Sequence, residues 1–189
     1  GLDRCPQERE DRDGFEDDDG CPDEDNDHDG IPDGVDRCPL EAEVVNGVED
    51  DDGCPDEGQG KIVMDGKKLR IDEKIFFETG SDVIKGESYA ILKQVAAWLK
   101  AHWMVRLVRV EGHTDDQGDK EMNVDLSERR ARRVRDFLID RGVAPFRLQA
   151  KGYGPKEPIA SNGTRKGRAR NRRVEFTVLK VAKAEGGAR

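Results

Sequence analysis

The sequence predicts an α+β domain, one sheet with helices on one face in βαβαβ order, behind an irregular segment ordered by cations and disulfides. Three observations lead there. Charge divides the 189 residues sharply: residues 1–60 carry 24 acidic and 4 basic side chains, a net of −20, and residues 61–189 carry +11. The acidic part overlays itself when shifted by 33 residues. Only beyond residue 60 do apolar residues fall at strand and helix spacings. The chain therefore reads as two modules, 1–60 and 61–189, with different partners.

The acidic module has one aromatic, Phe15, and few large aliphatics. It cannot bury enough apolar surface to offset its chain entropy unaided. Cysteines and metal ions are the usual substitutes for a core. All four cysteines, Cys5, Cys21, Cys38 and Cys54, lie in this module. An even count at regular spacing reads as a disulfide framework and an oxidising compartment. Zinc is the rival reading; it fits poorly, because no Cys-x-x-Cys pair occurs and the histidines are badly placed. No signal peptide or membrane-spanning run is visible. The chain opens in mid-motif and reads as a fragment whose export signal and N-terminal part were removed.

The repeat is explicit in the residues. Asp3-Arg4-Cys5-Pro6 returns as Asp36-Arg37-Cys38-Pro39, and Glu16 to Glu24 returns as Glu49 to Glu57. Between the copies, Asp25 to Asp36 reads as a twelve-residue calcium loop. Carboxylates of Asp25, Asp27, Asp29, Asp33 and Asp36 fall at positions 1, 3, 5, 9 and 12, Gly30 at 6, and Ile31 offers a carbonyl at 7. A hard cation needs such a cage of oxygens, and glycine permits the sharp turn. No amphipathic helices flank the loop, so it is not an EF-hand proper. The bland reading is a solvated acidic spacer, but five carboxylates in register would repel one another unless a cation screened them. Asp11, Asp13, Phe15 and Asp17 keep part of the rhythm as a weaker site. The second copy has Val44 and Asn46 in place of Asp11 and Asp13, so partial or absent binding is expected there. The pattern Asp25 to Pro39 resembles thrombospondin type 3 repeats, over about residues 3–57. That resemblance implies calcium wrapped by irregular chain, with disulfides between neighbouring units. Cys5–Cys21 with Cys38–Cys54 would respect the period, one of three connectivities open to four cysteines.

The basic module follows in order. Gly58-Gln59-Gly60 is a hinge. Lys61 to Met64 and Lys67 to Ile71 flank Asp65-Gly66, a hairpin turn. Ile71 to Glu78 reads as a strand. Ser81 can cap a helix whose Ile84, Ile91, Val95, Trp98 and Leu99 recur at helical spacing. Val105 to Glu111 alternates as a strand, and Gly112 to Gly118 is a polar loop. Ser127 to Asp140 is a second helix with Ala131, Val134, Phe137 and Leu138 on one face, stopped by Gly142. Phe146 to Gly152 is a third strand, Tyr153 to Gly167 a loop, and Arg173 to Leu179 a closing strand. The tail after Lys180 is expected to fray.

No nucleophile in this module is paired with a base. His113 reads as a loop or supporting hydrogen bonder. Asp115 and Asp116 are adjacent loop carboxylates, which seldom converge on one bond as hydrolysis requires. What remains is recognition. Asp115 follows a strand and Arg130 stands near the start of a helix, so both can reach one outward-facing point. Asp115 would take the ammonium of an amino acid head and Arg130 its carboxylate in a bidentate fork. Backbone N–H groups at the helix start would assist. An Asp–Arg pair alone is more often a structural salt bridge.

A wider pattern runs through residues 70–180: Ile75-Phe76-Phe77, Gly112-His113-Thr114-Asp115, Asn123, Leu126-Ser127, Arg130-Ala131, Val134, Gly152-Tyr153-Gly154, Asn162 and Asn171-Arg172-Arg173-Val174-Glu175-Phe176. With every block in order, the module resembles the OmpA-like C-terminal domain of outer-membrane anchors, Pal-type lipoproteins and MotB-type stators. The resemblance implies non-covalent binding of peptidoglycan through meso-diaminopimelate, with Asp115 and Arg130 as the clamp. Thr114, Asn123 and Leu126 match pocket positions of some members, and Asn171 and Arg173 match the terminal block as supports of the site floor. It places the protein, not an enzyme, at the periplasmic face of the outer membrane of a Gram-negative bacterium, anchored through the missing N-terminal part. The arginines from Arg129 to Arg135 invite a nucleic-acid reading on charge. That stretch has no aromatics for stacking and no DNA-binding motif, so a solvated face, or docking against the acidic repeats, is expected instead. The alternative function is a calcium-dependent structural or adhesion protein of the cell envelope. The oligomeric state is not legible.

Overall fold

The computed structural model describes every residue except 1–3, 10, 11, 13, 16, 17, 19, 47, 51, 58, 59, 61, 72 and 183–189. Most of the Gly58–Gly60 hinge and most of the tail thus lie outside the described residues. The basic module contains β1 (Ile62–Asp65), β2 (Lys68–Ile71), α1 (Tyr89–Ala101), β3 (Val105–His113), α2 (Lys120–Asp140), β4 (Leu148–Gly154), α3 (Arg165–Asn171) and β5 (Arg173–Val181). One five-stranded sheet runs β1-β2-β5-β3-β4. β5 pairs antiparallel with both β2 and β3, and β3 pairs parallel with β4. A parallel pair needs a crossover, and α2 supplies it.

Alternation decides what each face of the sheet meets. Val108 and Val110 of β3, Phe176 and Val178 of β5 and Leu69 of β2 turn into one core with Leu92, Val95 and Leu99 of α1 and Ala131, Val134 and Leu138 of α2. The other face carries Arg109, Glu111 and His113 of β3 beside Glu175 of β5 and Lys68 of β2. Near the carboxyl ends of β3 and β4, α2 lies almost on the backbone. A methyl at Gly112 would overlap the Ser127 carbonyl oxygen, and one at Gly152 the Glu128 amide. Hydrogen bonds lock the same place: Gly154 N donates to Ser127 Oγ at 2.9 Å and Gly152 N to Glu128 Oε2 at 2.6 Å.

Several elements differ from expectation. Ile71 ends β2, and among the described residues 73–78 there is no strand; only the bridge Phe77–Ile84 forms. β2 already has β1 on one side and β5 on the other, so no ladder is open to them. They form instead a tight loop in which Lys85 N donates to Phe76 O and Glu78 N to Val83 O, both at 2.9 Å. Ser81 does not cap α1. Its hydroxyl accepts from Val83 N, while Ser88 stands at the N-cap position and accepts from Phe76 N. α2 starts at Lys120, not Ser127, because Asp119 caps it through Met122 N at 2.9 Å. β3 runs on to His113, into the expected loop. Pro145–Arg147 is a 3₁₀ turn that delays β4 to Leu148. The expected loop Tyr153–Gly167 leads into α3, capped by Thr164.

Among the described residues of 1–60 there is no helix or strand. Disulfides join Cys5 to Cys21 and Cys38 to Cys54, and no free cysteine remains. That pairing removes the zinc reading. The segment lies along α1 rather than on the arginines of α2: the Gly30 Cα approaches the Lys100–Ala101 backbone so closely that a side chain there would collide. The arginines of α2 find partners on their own module, Arg129 with Asp125 and Asp82, and Arg132 with Glu128.

Candidate functional site

The site is built where β3 ends, where α2 crosses it and where α3 stops. Asp115 lies just past β3 and is only 7% exposed. Its Oδ1 accepts from Gln117 N at 3.1 Å, and its Oδ2 forms an ion pair at 2.5 Å with Arg172 Nη1. Arg172 is the residue at which α3 leaves its helix. The cation that meets this carboxylate is thus Arg172, which the sequence reading had not placed at the site.

Arg130 stands in the middle of α2, because the helix begins ten residues earlier at Lys120. The free N–H groups of the helix start therefore lie far from it, and the assistance expected from them is absent. Instead the loop 76–85 holds Arg130. Nε donates to Ser81 O at 2.8 Å, Nη2 reaches Glu78 O at 3.5 Å, and the guanidinium lies 4.9 Å over the Phe77 ring. Burial, then the neighbouring Arg129 and Arg172, lower its pKa from the usual value. A destabilised cation with donors to spare is suited to an incoming anion. Arg130 and Arg172 line one cleft of about 420 Å³, together with Lys74, Thr79, Gly80 and His113.

The other expected site residues divide. Thr114 is buried, donating its hydroxyl to Asp115 O and its N–H to Gly154 O. It shapes the Asp115 turn. Asn123 donates to Gln117 O at 2.8 Å and braces the same loop from α2. Leu126 is half-buried one helical turn before Arg130. Asn171 is fully buried and committed. It accepts from Ile159 N and Ala160 N and donates to Ala160 O and Asn162 Oδ1. Arg173 binds Glu175 and the carbonyls of Asn171 and Glu157. Both therefore act as supports and leave no free group for direct contact through Asn171.

His113 corrects an expectation. It is the last residue of β3, 2% exposed, with neither ring nitrogen hydrogen-bonded. It stacks on Tyr153 at 5.2 Å. Burial, then the nearby Arg173, push its pKa down to about 4. Glu111 and Glu175 approach it closely enough to suggest a metal. Arg109 already holds Glu111, and Arg173 and Lys68 hold Glu175, so three cations already offset the two carboxylates there.

In the acidic segment, Asp29 turns both oxygens to the chain, accepting from Ile31 N and Glu43 N, and the other four loop carboxylates turn one each. Asp25 accepts from Gly30 N, Asp27 from Asp29 N, Asp33 from Asn26 N and Asp36 from Cys38 N. The second oxygens, Asp25 Oδ1, Asp27 Oδ2, Asp33 Oδ2 and Asp36 Oδ2, are buried without a partner. Burial, against which Gly30 N–H works, raises the pKa of Asp25; burial likewise raises Asp27 and Asp36. Buried unpaired carboxylate oxygens are costly, and a hard cation is the partner they fit. The expected ligands Asp25, Asp27 and Asp29 converge. Asp11, Asp13 and Asp17 lie outside the described residues, and with them the weaker site at Phe15.

The sequence reading missed Arg172, Phe77 and the carbonyls of Glu78 and Ser81. Arg172 belonged to the quoted terminal block, but its position depends on α3, which a stretch rich in Gly, Pro and Asn concealed.

A model of the OmpA family matches residues 76–172. Outer membrane porin F of Pseudomonas fluorescens is 43% identical over 110 residues, covering 58% of this chain and 33% of that protein. The peptidoglycan-associated lipoprotein of Mesorhizobium japonicum is 40% identical over 92 residues, covering 49% of this chain and 54% of its own. The chain thus spans between a third and just over half of these relatives. Among solved structures, the cell wall anchor of the T6SS from Pseudomonas aeruginosa superposes with a TM-score of 0.52 at 32% identity, covering 65% of this chain and 89% of that one.

Proposed function

The chain belongs to the OmpA family, and from that premise we propose that its basic module anchors an outer-membrane protein to peptidoglycan by gripping meso-diaminopimelate. The observation that carries this reading is the Asp115–Arg172 ion pair at the edge of a cleft that Arg130 and Arg172 share. Diaminopimelate in a stem peptide presents an amino acid head, an ammonium and a carboxylate on one carbon. The ammonium takes the place of the Arg172 guanidinium on Asp115, and the carboxylate bridges Arg172 and Arg130. Arg130 is already oriented by two carbonyls and the Phe77 ring, so little side-chain entropy is lost on binding. Each charged hydrogen bond contributes on the order of 1.5–3 kcal/mol. A shallow grip of that size is modest singly, and many copies on one sacculus tether through avidity.

The relatives' names support the partner: one is a peptidoglycan-associated lipoprotein, and one solved neighbour is a cell wall anchor. Nothing in the site pairs a nucleophile with a base, which suits binding rather than hydrolysis. The acidic segment is read as a calcium-ordered spacer of thrombospondin type 3 character, with Asp25, Asp27, Asp29, Asp33, Asp36 and the Ile31 carbonyl around the ion. It would stand between the sacculus and a membrane element N-terminal to this chain.

Pull-down with purified sacculi tests the clamp. Asp115→Ala and Arg130→Ala are each expected to lose binding while keeping the wild-type far-ultraviolet circular dichroism. Binding retained in both variants rejects the proposal.

A further inference from the structure

The cleft that Arg130 and Arg172 share has more cations than groups that answer them. It measures about 420 Å³ and is lined also by Lys74 and Arg173, with Glu78 as its one acid. Arg172 has Asp115 and Arg173 has Glu175. Arg130 has two carbonyls and the Phe77 ring. Lys74 has a single carbonyl: its Nζ donates to Ala169 O at 2.9 Å, and among the described residues no carboxylate pairs with it. A bound amino acid head does not change this. Its ammonium goes to Asp115 and its carboxylate to Arg130 and Arg172, so it brings as much positive charge as negative. Lys74 is left without a counter-charge, and the head, one carbon with its two charged groups, fills only part of the cleft.

We propose that Lys74 holds a second carboxylate of the same stem peptide, so that the cleft reads two anionic groups rather than one. The inference rests on the diaminopimelate reading and extends it outward along the ligand. Position supports it. Lys74 follows β2 and leads into the loop whose Ser81 and Glu78 carbonyls orient Arg130. Ala169 lies in the last turn of α3, three residues before Arg172. The ammonium thus crosses from the loop that holds one clamp arginine to the helix that delivers the other. Its present partner is a neutral carbonyl, and an ammonium has donors to spare. A carboxylate beside it makes the stronger, charge-assisted bond. Ile75, Phe76 and Phe77 give the cleft an apolar wall, and a cleft of one sign with such walls draws in anions. A stem peptide has two carboxylates that can lie beside the head. One is the α-carboxylate of the D-glutamate before it. The other is the carboxylate at the peptide end of diaminopimelate, where no residue follows. Both offer Lys74 the same chemistry, and amidation removes the charge of either with little change of shape.

Calorimetry on the full, disulfide-intact chain tests this with synthetic L-alanyl-γ-D-glutamyl-diaminopimelate. The amino acid head is unmodified in every form. The two remote carboxylates are left free, amidated one at a time, or both amidated. Wild type should bind the free form about three- to fivefold more tightly than the doubly amidated one, the scale of one exposed ion pair. The singly amidated form that loses this preference identifies the carboxylate that Lys74 takes. Lys74→Met should bind every form as wild type binds the doubly amidated one, and Lys74→Arg should keep the preference. Equal binding of all forms by wild type overturns the proposal and leaves the clamp standing. A preference that survives in Lys74→Met overturns it too. So does weaker binding of the doubly amidated form by Lys74→Met than by wild type, because Lys74 would then only brace α3. No binding of any form by wild type rejects the clamp itself, and the second subsite with it.

Discussion

His113 shows what a single buried ring can do to the stability of the whole domain. It has no hydrogen-bond partner, it is packed on Tyr153, and burial first and then Arg173 oppose its protonation, with Glu175 and Glu111 working the other way. An unfolded chain protonates the imidazole near its ordinary value of 6.5; the folded chain does so only at about 4. Between those values the unfolded state binds the extra proton. Stability from this group is therefore complete above the upper value and drains away as pH falls to the lower, by roughly 3 kcal/mol in all. Urea melts of the domain between pH 7 and pH 4 should show this loss. His113→Phe keeps the ring stack without the proton site, and its melts should lose that component of the slope. Glycine makes the companion case. Gly112→Ala would force the Ser127 carbonyl of α2 away from β3, with no flexible atom to yield. Overpacking of this kind costs about 1–3 kcal/mol or more, and a lowered thermal midpoint with weakened sacculus binding should accompany it. Arg172 is the opposite sort of residue, half-exposed and held by one carboxylate. Arg172→Met should fold normally, leave the buried Asp115 carboxylate without its cation, and weaken binding of free diaminopimelate as measured by calorimetry. Undiminished affinity would show that Arg172 only stands in for the ligand's ammonium.

At the level of elements, ends matter more than middles. The carboxyl end of α1 is closed by Arg147 from the turn before β4. One terminal nitrogen reaches Leu99 O, His102 O and Val105 O. Leu99 O is among the last carbonyls of α1, which have no partner along the helix, so Arg147→Ala should cost on the order of 1–3 kcal/mol, read as a shift in the urea midpoint with no change in ligand affinity. The same logic explains which elements could be read in the sequence. The cores of β3, α1, α2 and β5 were legible because Val108, Val110, Val95, Val134 and Phe176 carry the period of their element. The amino end of α2 was not, because Asn123 and Asp125 mask the apolar stripe and only the cap at Asp119 marks it. Ile71 to Glu78 read as a strand on the run Ile75-Phe76-Phe77, yet such a run says nothing about whether a sheet edge is open. For the site, sequence could name Asp115 and Arg130, since each lies on or beside a recognisable element. It could not supply Arg172 or the Glu78 and Ser81 carbonyls, which arrive by way of a helix and a loop whose geometry is set by tertiary contacts.

The whole molecule couples an acidic segment without a core to a domain that has one. The described segment meets the domain along α1: Gly30 against the end of the helix, His28 near Trp103 at 6.0 Å, and two clefts, one between Glu43 and Lys100 and one between Asp50 and Lys93. Each of these contacts is made by residues in or next to the acidic clusters. If cations hold those clusters together, removing calcium sets buried carboxylates against one another, and the segment is restrained only by its two disulfides. Those bonds close short loops within the segment and none reaches the domain. Chelation should therefore detach the segment from α1 without unfolding the domain, whose core uses Val95, Val134 and Phe176 and no metal. Hydrogen exchange on the full chain is the measurement. In chelator, amides of residues 25–56 should exchange faster, and the exposed end of α1 near Lys100 should lose some protection. Amides of β3 and β5 should be unchanged, and sacculus binding should persist. Loss of protection through β3 and β5 would mean that the segment is part of the domain's fold rather than a spacer beside it.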